Sequence, residues 1–403
     1  MDPDWADLPN HILDLIFEKM KTTKDCLTFG AICIKWYHIC LHNRTKLIKL
    51  NRHQEPKLLF PNESKANDSW RVYSINSQHK KSLQSKLLLP SYDKPFAGSS
   101  EGWLATLDKN LAVTLYKPFL ENNNETSIVH LPPLFPPTDL SHLERIFDHR
   151  DVYLLKFTTF TPDPISNPND FIMVVLYGEL CHLAYIRTSK DAATWIHVAS
   201  SSDICFDDVI YYNNRFYVLL YETGGLASLD VSYDSSQPNL KMIVSDTPKN
   251  YNRKDRYFCY KTYLVESYKG ELLQVQRYRE DCDDHVTKEF EVFKFSFDRC
   301  EWVKINYLEE EALFVGDNTS ISVDTSSSSS QCKSNCIYFV DDKDTTSFGS
   351  GPKDMGVYNL KTGSLLRRFD IDEKLFTTMG GRIPIWVLRT VFNTNRSVKR
   401  TSF

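Results

Sequence analysis

The fold is decided by Cys205-Phe-Asp-Asp-Val-Ile-Tyr-Tyr212, Asn213-Asn214 and Arg215-Phe-Tyr-Val-Leu-Leu220, followed by Gly225-Leu-Ala-Ser-Leu-Asp230. Two runs rich in β-branched and aromatic residues flank an Asn-Asn pair. Asparagine tolerates the positive φ that a two-residue hairpin turn needs. The third run adds a strand to the hairpin. The product is an antiparallel meander of short strands.

The same unit recurs in both directions. Towards the C-terminus, Tyr263-Leu-Val-Glu-Ser267, Lys269-Gly270 and Glu271-Leu-Leu-Gln-Val-Gln-Arg277 form another hairpin. Lys288-Glu-Phe-Glu-Val-Phe-Lys-Phe295 and Trp302-Val-Lys-Ile305 extend it. Cys336-Ile-Tyr-Phe-Val340, Gly356-Val-Tyr-Asn-Leu360 and Ser364-Leu-Leu-Arg-Arg-Phe369 end the series. Towards the N-terminus lie Thr194-Trp-Ile-His-Val198, Leu180-Cys-His-Leu-Ala-Tyr-Ile186, Phe171-Ile-Met-Val-Val-Leu-Tyr177 and Asp151-Val-Tyr-Leu-Leu-Lys-Phe157. Before them, Gly102-Trp-Leu-Ala-Thr-Leu-Asp108 and Leu111-Ala-Val-Thr-Leu-Tyr-Lys-Pro118 pair about Lys109-Asn110. Leu131-Pro-Pro-Leu-Phe-Pro-Pro137 is expected to be a loop closing one unit, because proline cannot donate to a ladder.

Groups of three or four short strands recurring at about 40–55 residues have the period of a β-propeller. Radial repetition of small sheets leaves only short edges around a channel. Residues 70–392 leave room for about six to eight blades, and seven is the expectation. A two-sheet sandwich fits less well, because the strands exceed the usual number for open sheets. Trp103, Trp195 and Trp302 end or follow alternating strands and are expected to be buried between blades.

The N-terminal stretch has a different period. After Asp4 and Asp7, placed to meet a positive helix dipole, Pro9 suits the first helical position. Leu8, Ile12, Leu13, Leu15, Ile16, Phe17 and Met20 then cover an arc of roughly 200° at helical spacing, about twice an ordinary core-facing stripe. Thr23 is placed to cap a second helix. Leu27, Ala31 and Ile34 follow at helical spacing, as do Phe29, Cys33 and Trp36. So few turns cannot bury so much apolar surface, so part of it should face another protein. The chain therefore divides into a helical module at residues 1–48, a polar linker at 49–69, a propeller at 70–392 and a basic tail at 393–403 with Arg396, Lys399 and Arg400.

Two resemblances add to this reading. Leu8-Pro9-x-x-Ile12-Leu13-x-x-Ile16-Phe17 followed by Cys33-x-x-Trp36 resembles an F-box, although Tyr37 stands where many have Arg. The resemblance implies docking onto a Skp1-like adaptor, and through it a cullin, with Leu8, Pro9, Ile12, Leu13, Ile16 and Trp36 holding the adaptor by contact or by shaping the helices. The strand region resembles a plant domain long catalogued as of unknown function. It typically follows an F-box and is similar to a kelch-like propeller. The landmarks include Leu131-Pro-Pro, Phe206-Asp-Asp-Val-Ile-Tyr-Tyr, Ala312-Leu-Phe-Val-Gly and Met355-Gly-Val-Tyr-Asn-Leu. Tyr116-Lys-Pro118 departs from the Leu-Asn-Pro often found there. Neither a WD series nor a kelch double glycine is present.

Composition narrows the function. The net charge of −4 gives no global field for nucleic acid or an anionic membrane. Ten cysteines without a dense framework, in a chain of 403 residues, suggest reduced thiols in the nucleus and/or cytoplasm. Cys332-x-x-x-Cys336 lacks partners at zinc-finger spacing, so no metal or cofactor is expected. The acidic N-terminus is unlike a signal or transit peptide, and no apolar run is long enough to span a membrane.

Catalytic patterns are weak. Asp341-Asp342-x-Asp344 reads as an acidic turn without the Gly and Glu of an EF-hand. Glu309-Glu-Glu311 reads as a surface charge run. Ser296-x-Asp298-x-x-x-Trp302 resembles a sialidase Asp-box with Cys300 in place of glycine, and reads as a turn with an inward Trp. No nucleophile elbow or phosphate loop is present.

The expected function is therefore a non-catalytic substrate receptor of an SCF-type ubiquitin ligase. The alternatives are a propeller scaffold whose F-box recruits no ligase and, least fitting, a hydrolytic propeller. Five loops, at residues 121–127, 161–169, 232–251, 279–288 and 342–353, are candidates for target contact, at least three of them on one face. Tyr251, Arg253, Arg256 and Tyr257 combine the residue types enriched in interface hot spots.

Overall fold

The computed structural model describes residues 5–20, 23–43, 55–61, 69–73, 86–88, 96–100, 102–108, 110–117, 128–135, 154–159, 171–178, 181–188, 193–198, 204–231, 239–246, 257–280, 286–326, 332–340, 354–369 and 384–388. A 3-10 turn at Trp5–Asp7 precedes three helices: α1 (Asn10–Lys19), α2 (Thr23–Gly30) and α3 (Ile34–His42). The described residues beyond them form strands and turns only.

The strands make six sheets. Blade one holds β1 (Lys57–Pro61), β2 (Ser69–Tyr73) and β3 (Lys86–Leu88). Blade two is β4 (Phe96–Ser100), β5 (Trp103–Leu107), β6 (Ala112–Tyr116) and β7 (Ile128–Pro133). Blade three is β8 (Leu154–Thr159), β9 (Ile172–Tyr177), β10 (His182–Thr188) and β11 (Ala193–His197). Blade four is β12 (Phe206–Tyr212), β13 (Arg215–Leu220), β14 (Gly224–Asp230) and β15 (Asn239–Asp246). Blade five is β16 (Tyr257–Glu266), β17 (Leu272–Glu280), β18 (Thr287–Ser296) and β19 (Glu301–Ile305). Blade six has five strands: β20 (Glu311–Gly316), β21 (Thr319–Asp324), β22 (Cys336–Phe339), β23 (Gly356–Asn359) and β24 (Ser364–Arg368). The last strand, β25 (Ile385–Val387), returns to blade one and pairs with β1.

The innermost strands β25, β4, β8, β12, β16 and β21 pack in that order around the axis, and β21 meets β25 to close the ring. Six apolar clusters fill the six seams between neighbouring blades. Period-two geometry supplies both sides of a seam from one strand. In β9, Ile172, Val174 and Leu176 face blade four, while Met173, Val175 and Tyr177 face blade two. In β20, Ala312 and Phe314 face blade one, and Leu313 and Val315 face blade five. Strands buried on both faces read as continuous apolar runs rather than clean alternation.

Several expectations are corrected. The ring has six blades, not seven. Inner strands begin at residues 96, 154, 206 and 257, more than fifty apart, and blade six spends residues on the extra β20–β21 hairpin. The polar linker is shorter than expected, because Lys57–Pro61 is already a strand paired on both sides. Leu131-Pro-Pro is not a loop. It ends β7, the outer strand of blade two, where an edge leaves missing proline N–H groups without consequence. Residues 239–246, placed in a loop, form β15.

The Asn213-Asn214 turn has both residues at positive φ, 45° and 62°. Trp103 and Trp302 are buried. Trp195 is half-buried, and its Nε1 donates across the seam to the Pro132 carbonyl at 2.9 Å. Cys300 takes a φ of 50° in the turn before Trp302.

Candidate functional site

The helical module buries Leu13, Phe17, Cys26, Phe29, Trp36, Ile39 and Cys40 in one cluster. The Phe29 ring lies 4.4 Å from Trp36 and 5.3 Å from Phe17. Trp36 Nε1 donates to the Trp5 carbonyl at 3.3 Å, and Asn43 Nδ2 donates to Asp14 Oδ1 at 2.7 Å. Burial, with Cys26 nearby, pushes the Cys40 thiol up to about 11, so Cys40 stays a protonated packing group. Pro9 sits one position earlier than expected, at the N-cap, with its carbonyl accepting from Ile12 and Leu13 at 3.0 and 3.1 Å.

The six motif residues divide by role. Leu13 and Trp36 are buried inside the module. Leu8, Ile12 and Ile16 are half-buried and Pro9 is exposed. Leu15, from the same wide arc, is 53% exposed, and Trp5 is 63% exposed. One edge of the α1 arc therefore packs inward while the other stays open. Leu27, Ala31 and Ile34 do not lie on one continuous helix, and the Leu27 side chain lies outside the described residues. The chain breaks between α2 and α3, leaving Ala31 and Ile34 exposed.

The propeller axis carries a polar network that sequence reasoning missed. Ser99 Oγ, on β4, donates to the Trp386 carbonyl at 2.6 Å and pairs with Thr319 Oγ1 at 2.8 Å. Lys156 Nζ, on β8, donates to Asp208 on β12 at 2.6 Å and to Ser320 Oγ on β21 at 3.0 Å. Asp208 Oδ2 also accepts from Leu264 N on β16 at 2.7 Å. Lys261 lies 3.1 Å from Asp317 in the β20–β21 turn. All six inner strands thus take part. Burial pulls the Lys156 ammonium below its usual value, with Asp208 opposing. The available signal was a charge inside an apolar strand, Lys156 in Leu154-Leu-Lys-Phe157 and Asp207-Asp208 in β12.

A second charged cluster ties blade five to blade six. The Asp354 carboxylate accepts from Arg277 Nη2 at 3.0 Å, Arg368 Nη1 at 2.6 Å and Thr287 N at 2.7 Å. Burial would raise Asp354, but Arg277, Thr287 and Arg368 together hold it below the ordinary carboxylate value. Arg279 stacks over Tyr260 at 3.6 Å. Glu311 is not a surface charge. It is buried and accepts from Ser267 Oγ at 3.2 Å.

In these two clusters each carboxylate meets a cation, an arrangement suited to holding blades together rather than to acid–base exchange. The Asp341-Asp342-x-Asp344 turn lies outside the described residues, as do Tyr251, Arg253 and Arg256. Tyr257 opens β16, with its side chain outside the description. Four of the five candidate loops fall wholly or in their central residues outside it. The fifth, at 232–251, is divided by β15, so their convergence lies outside it too.

A closed propeller following a small helical module defines the class. The family model described as the KIB1-4 beta-propeller matches residues 72–359, and the chain belongs to that family. Among its relatives, F-box protein SKIP23 of Arabidopsis thaliana is 24% identical over 404 residues, covering 90% of each chain. F-box protein At2g17036, also of Arabidopsis thaliana, is 22% identical over 408 residues and covers 93% of each.

Proposed function

We propose that the protein is the substrate-recognition subunit of an SCF-type ubiquitin ligase, working in the nucleus and/or cytoplasm. The observation that carries this reading is the open edge of α1. Leu8, Pro9, Ile12, Leu15 and Ile16 remain accessible beside a fully packed interior, where a Skp1-like adaptor would dock and bring a cullin. Leu13 and Trp36 act through the shape of the module. The relatives' F-box names point the same way.

The propeller, from Lys57 to the last strand, holds a target protein. It catalyses nothing itself. Capture raises the effective concentration of target lysines near a charged conjugating enzyme. The connection from β15 to β16, with Tyr251, Arg253, Arg256 and Tyr257, is the proposed target contact. The test is co-purification of adaptor and cullin with wild type and with Leu8→Ala/Pro9→Ala. Recovery with wild type and loss with the variant supports the proposal. Absence from both leaves a propeller scaffold.

A further inference from the structure

Cysteines in the described part of the chain differ in setting. Cys26, Cys40, Cys259, Cys332 and Cys336 are buried, whereas Cys181 and Cys205 are half-buried. These two meet across the seam between blades three and four. Cys181 ends the turn into β10, with its N–H donating to the Gly178 carbonyl at 3.1 Å and a φ of 49°. Its own carbonyl accepts from Phe206 N, the residue after Cys205, at 3.3 Å. The Cys205 carbonyl in turn accepts from Tyr221 N at 2.9 Å. The Cys181 carbonyl thus bonds the peptide group that links Cys205 to Phe206, which sets the two cysteines side by side across the seam and within electrostatic reach of each other, and a disulfide needs about 4.4–6.8 Å between Cα atoms.

We propose that Cys181 and Cys205 form a redox modification site, at which a hydroperoxide converts the two thiols into a disulfide stapling blade three to blade four. Burial raises the Cys181 thiol, Lys261 opposes this, and Asp317, Asp207 and Cys205 add to it. In the proposed sequence Cys205 takes the first step, and Cys181, held protonated at neutral pH by burial, takes the second. The Cys205 thiolate sulfur attacks the distal peroxide oxygen, giving a sulfenic acid and releasing the alcohol, or water from hydrogen peroxide. The Cys181 sulfur then displaces the sulfenic hydroxyl, which leaves as water with the thiol proton. Two thiols lose two electrons and two protons, and the peroxide bond is reduced. The same neighbours of Cys181, Lys261 and Asp317, form an ion pair of the axial network, so the staple would brace that end of the axis.

The test treats the full chain with hydrogen peroxide, blocks remaining thiols and maps linked peptides without reductant. The expected product joins Cys181 to Cys205, disappears with dithiothreitol, and is absent from both Cys181→Ala and Cys205→Ser. Oxidised wild type should melt a few degrees higher than reduced, while Cys205→Ser should show no such rise. The proposal is overturned if exposed Cys300 is oxidised while Cys181 and Cys205 both remain open to alkylation. It is equally overturned if Cys205 ends as a sulfinic acid without the linked peptide.

Discussion

Single residues at the axis and at the seam between blades five and six carry the strongest energetic consequences. Lys156 and Asp208 are both buried, so removing one leaves the other charged and uncompensated. Asp208→Ala should cost about 3–5 kcal/mol, whereas the double change Lys156→Met/Asp208→Leu should recover much of that loss. Urea denaturation of the three proteins checks it. Equal loss in the single and double variants would show that the pair is not what Asp208 contributes.

Two buried carboxylates should respond to pH with opposite signs. Asp354 is held below its ordinary value of 3.8, so the stability it contributes is present above 3.8 and is lost as pH falls through the depressed value. Asp354→Asn should therefore be less stable than wild type at neutral pH, with the gap closing in acid. Glu311 is raised above 4.5 by burial, partly offset by Ser322, Tyr268 and Ser267. Its contribution is full below 4.5 and is lost as pH climbs through the raised value. Wild type should then lose stability relative to Glu311→Gln over that climb. Denaturation midpoints across a pH series read both signs.

For the elements, the helices show how packing and exposure divide one apolar arc. Leu13→Ala should destabilise the helical module by about 2–5 kcal/mol, the range for a buried leucine. Leu15→Ala should change it by no more than about 0.5 kcal/mol, because its side chain is half in water. Urea titration followed by the helical circular dichroism signal separates them. Among the strands, β25 returns to blade one, so ending the chain at Pro384 should leave the inner edge of β1 unpaired, with only β2 beside it, and open the ring. Rapid proteolysis from the blade-one seam is the expected sign, and resistance equal to wild type would show that closure does not depend on β25.

Much of this level was legible in the sequence. The hairpins around Asn213-Asn214 and Lys269-Gly270 were readable because turn chemistry and alternation agree there. β15 was not, because Asn239-Leu-Lys-Met-Ile-Val-Ser-Asp246 is preceded by a polar, proline-containing stretch that looks like loop. β20 escaped because burial on both faces removes the alternation that marks a strand, and β21, Thr319-Ser-Ile-Ser-Val-Asp324, escaped although it alternates, because it is short and runs into the serine-rich stretch that follows. The open edge of α1 was legible as an arc too wide for one core, but which residues face inward depended on where α2 and α3 pack. The axial ion pairs were illegible, since their partners lie on strands 52 residues apart or more.

At the scale of the whole molecule, the central claim is that one end recruits machinery and the other recognises a target. Arg253→Ala/Tyr257→Ala should weaken target capture and leave adaptor binding unchanged. Loss of both in a single pull-down would indicate misfolding instead of a lost contact.

The most direct measurement is the affinity of the full chain for a purified Skp1-like adaptor, by calorimetry, for wild type, Ile12→Ala/Leu15→Ala and Asp208→Ala. The account predicts one-to-one binding by wild type and a loss of at least about tenfold, roughly 1.4 kcal/mol, in the α1 variant. Wild-type affinity should persist in the axial variant under conditions where its helices remain folded. No adaptor binding by folded wild type, or equal binding by the α1 variant, would contradict it.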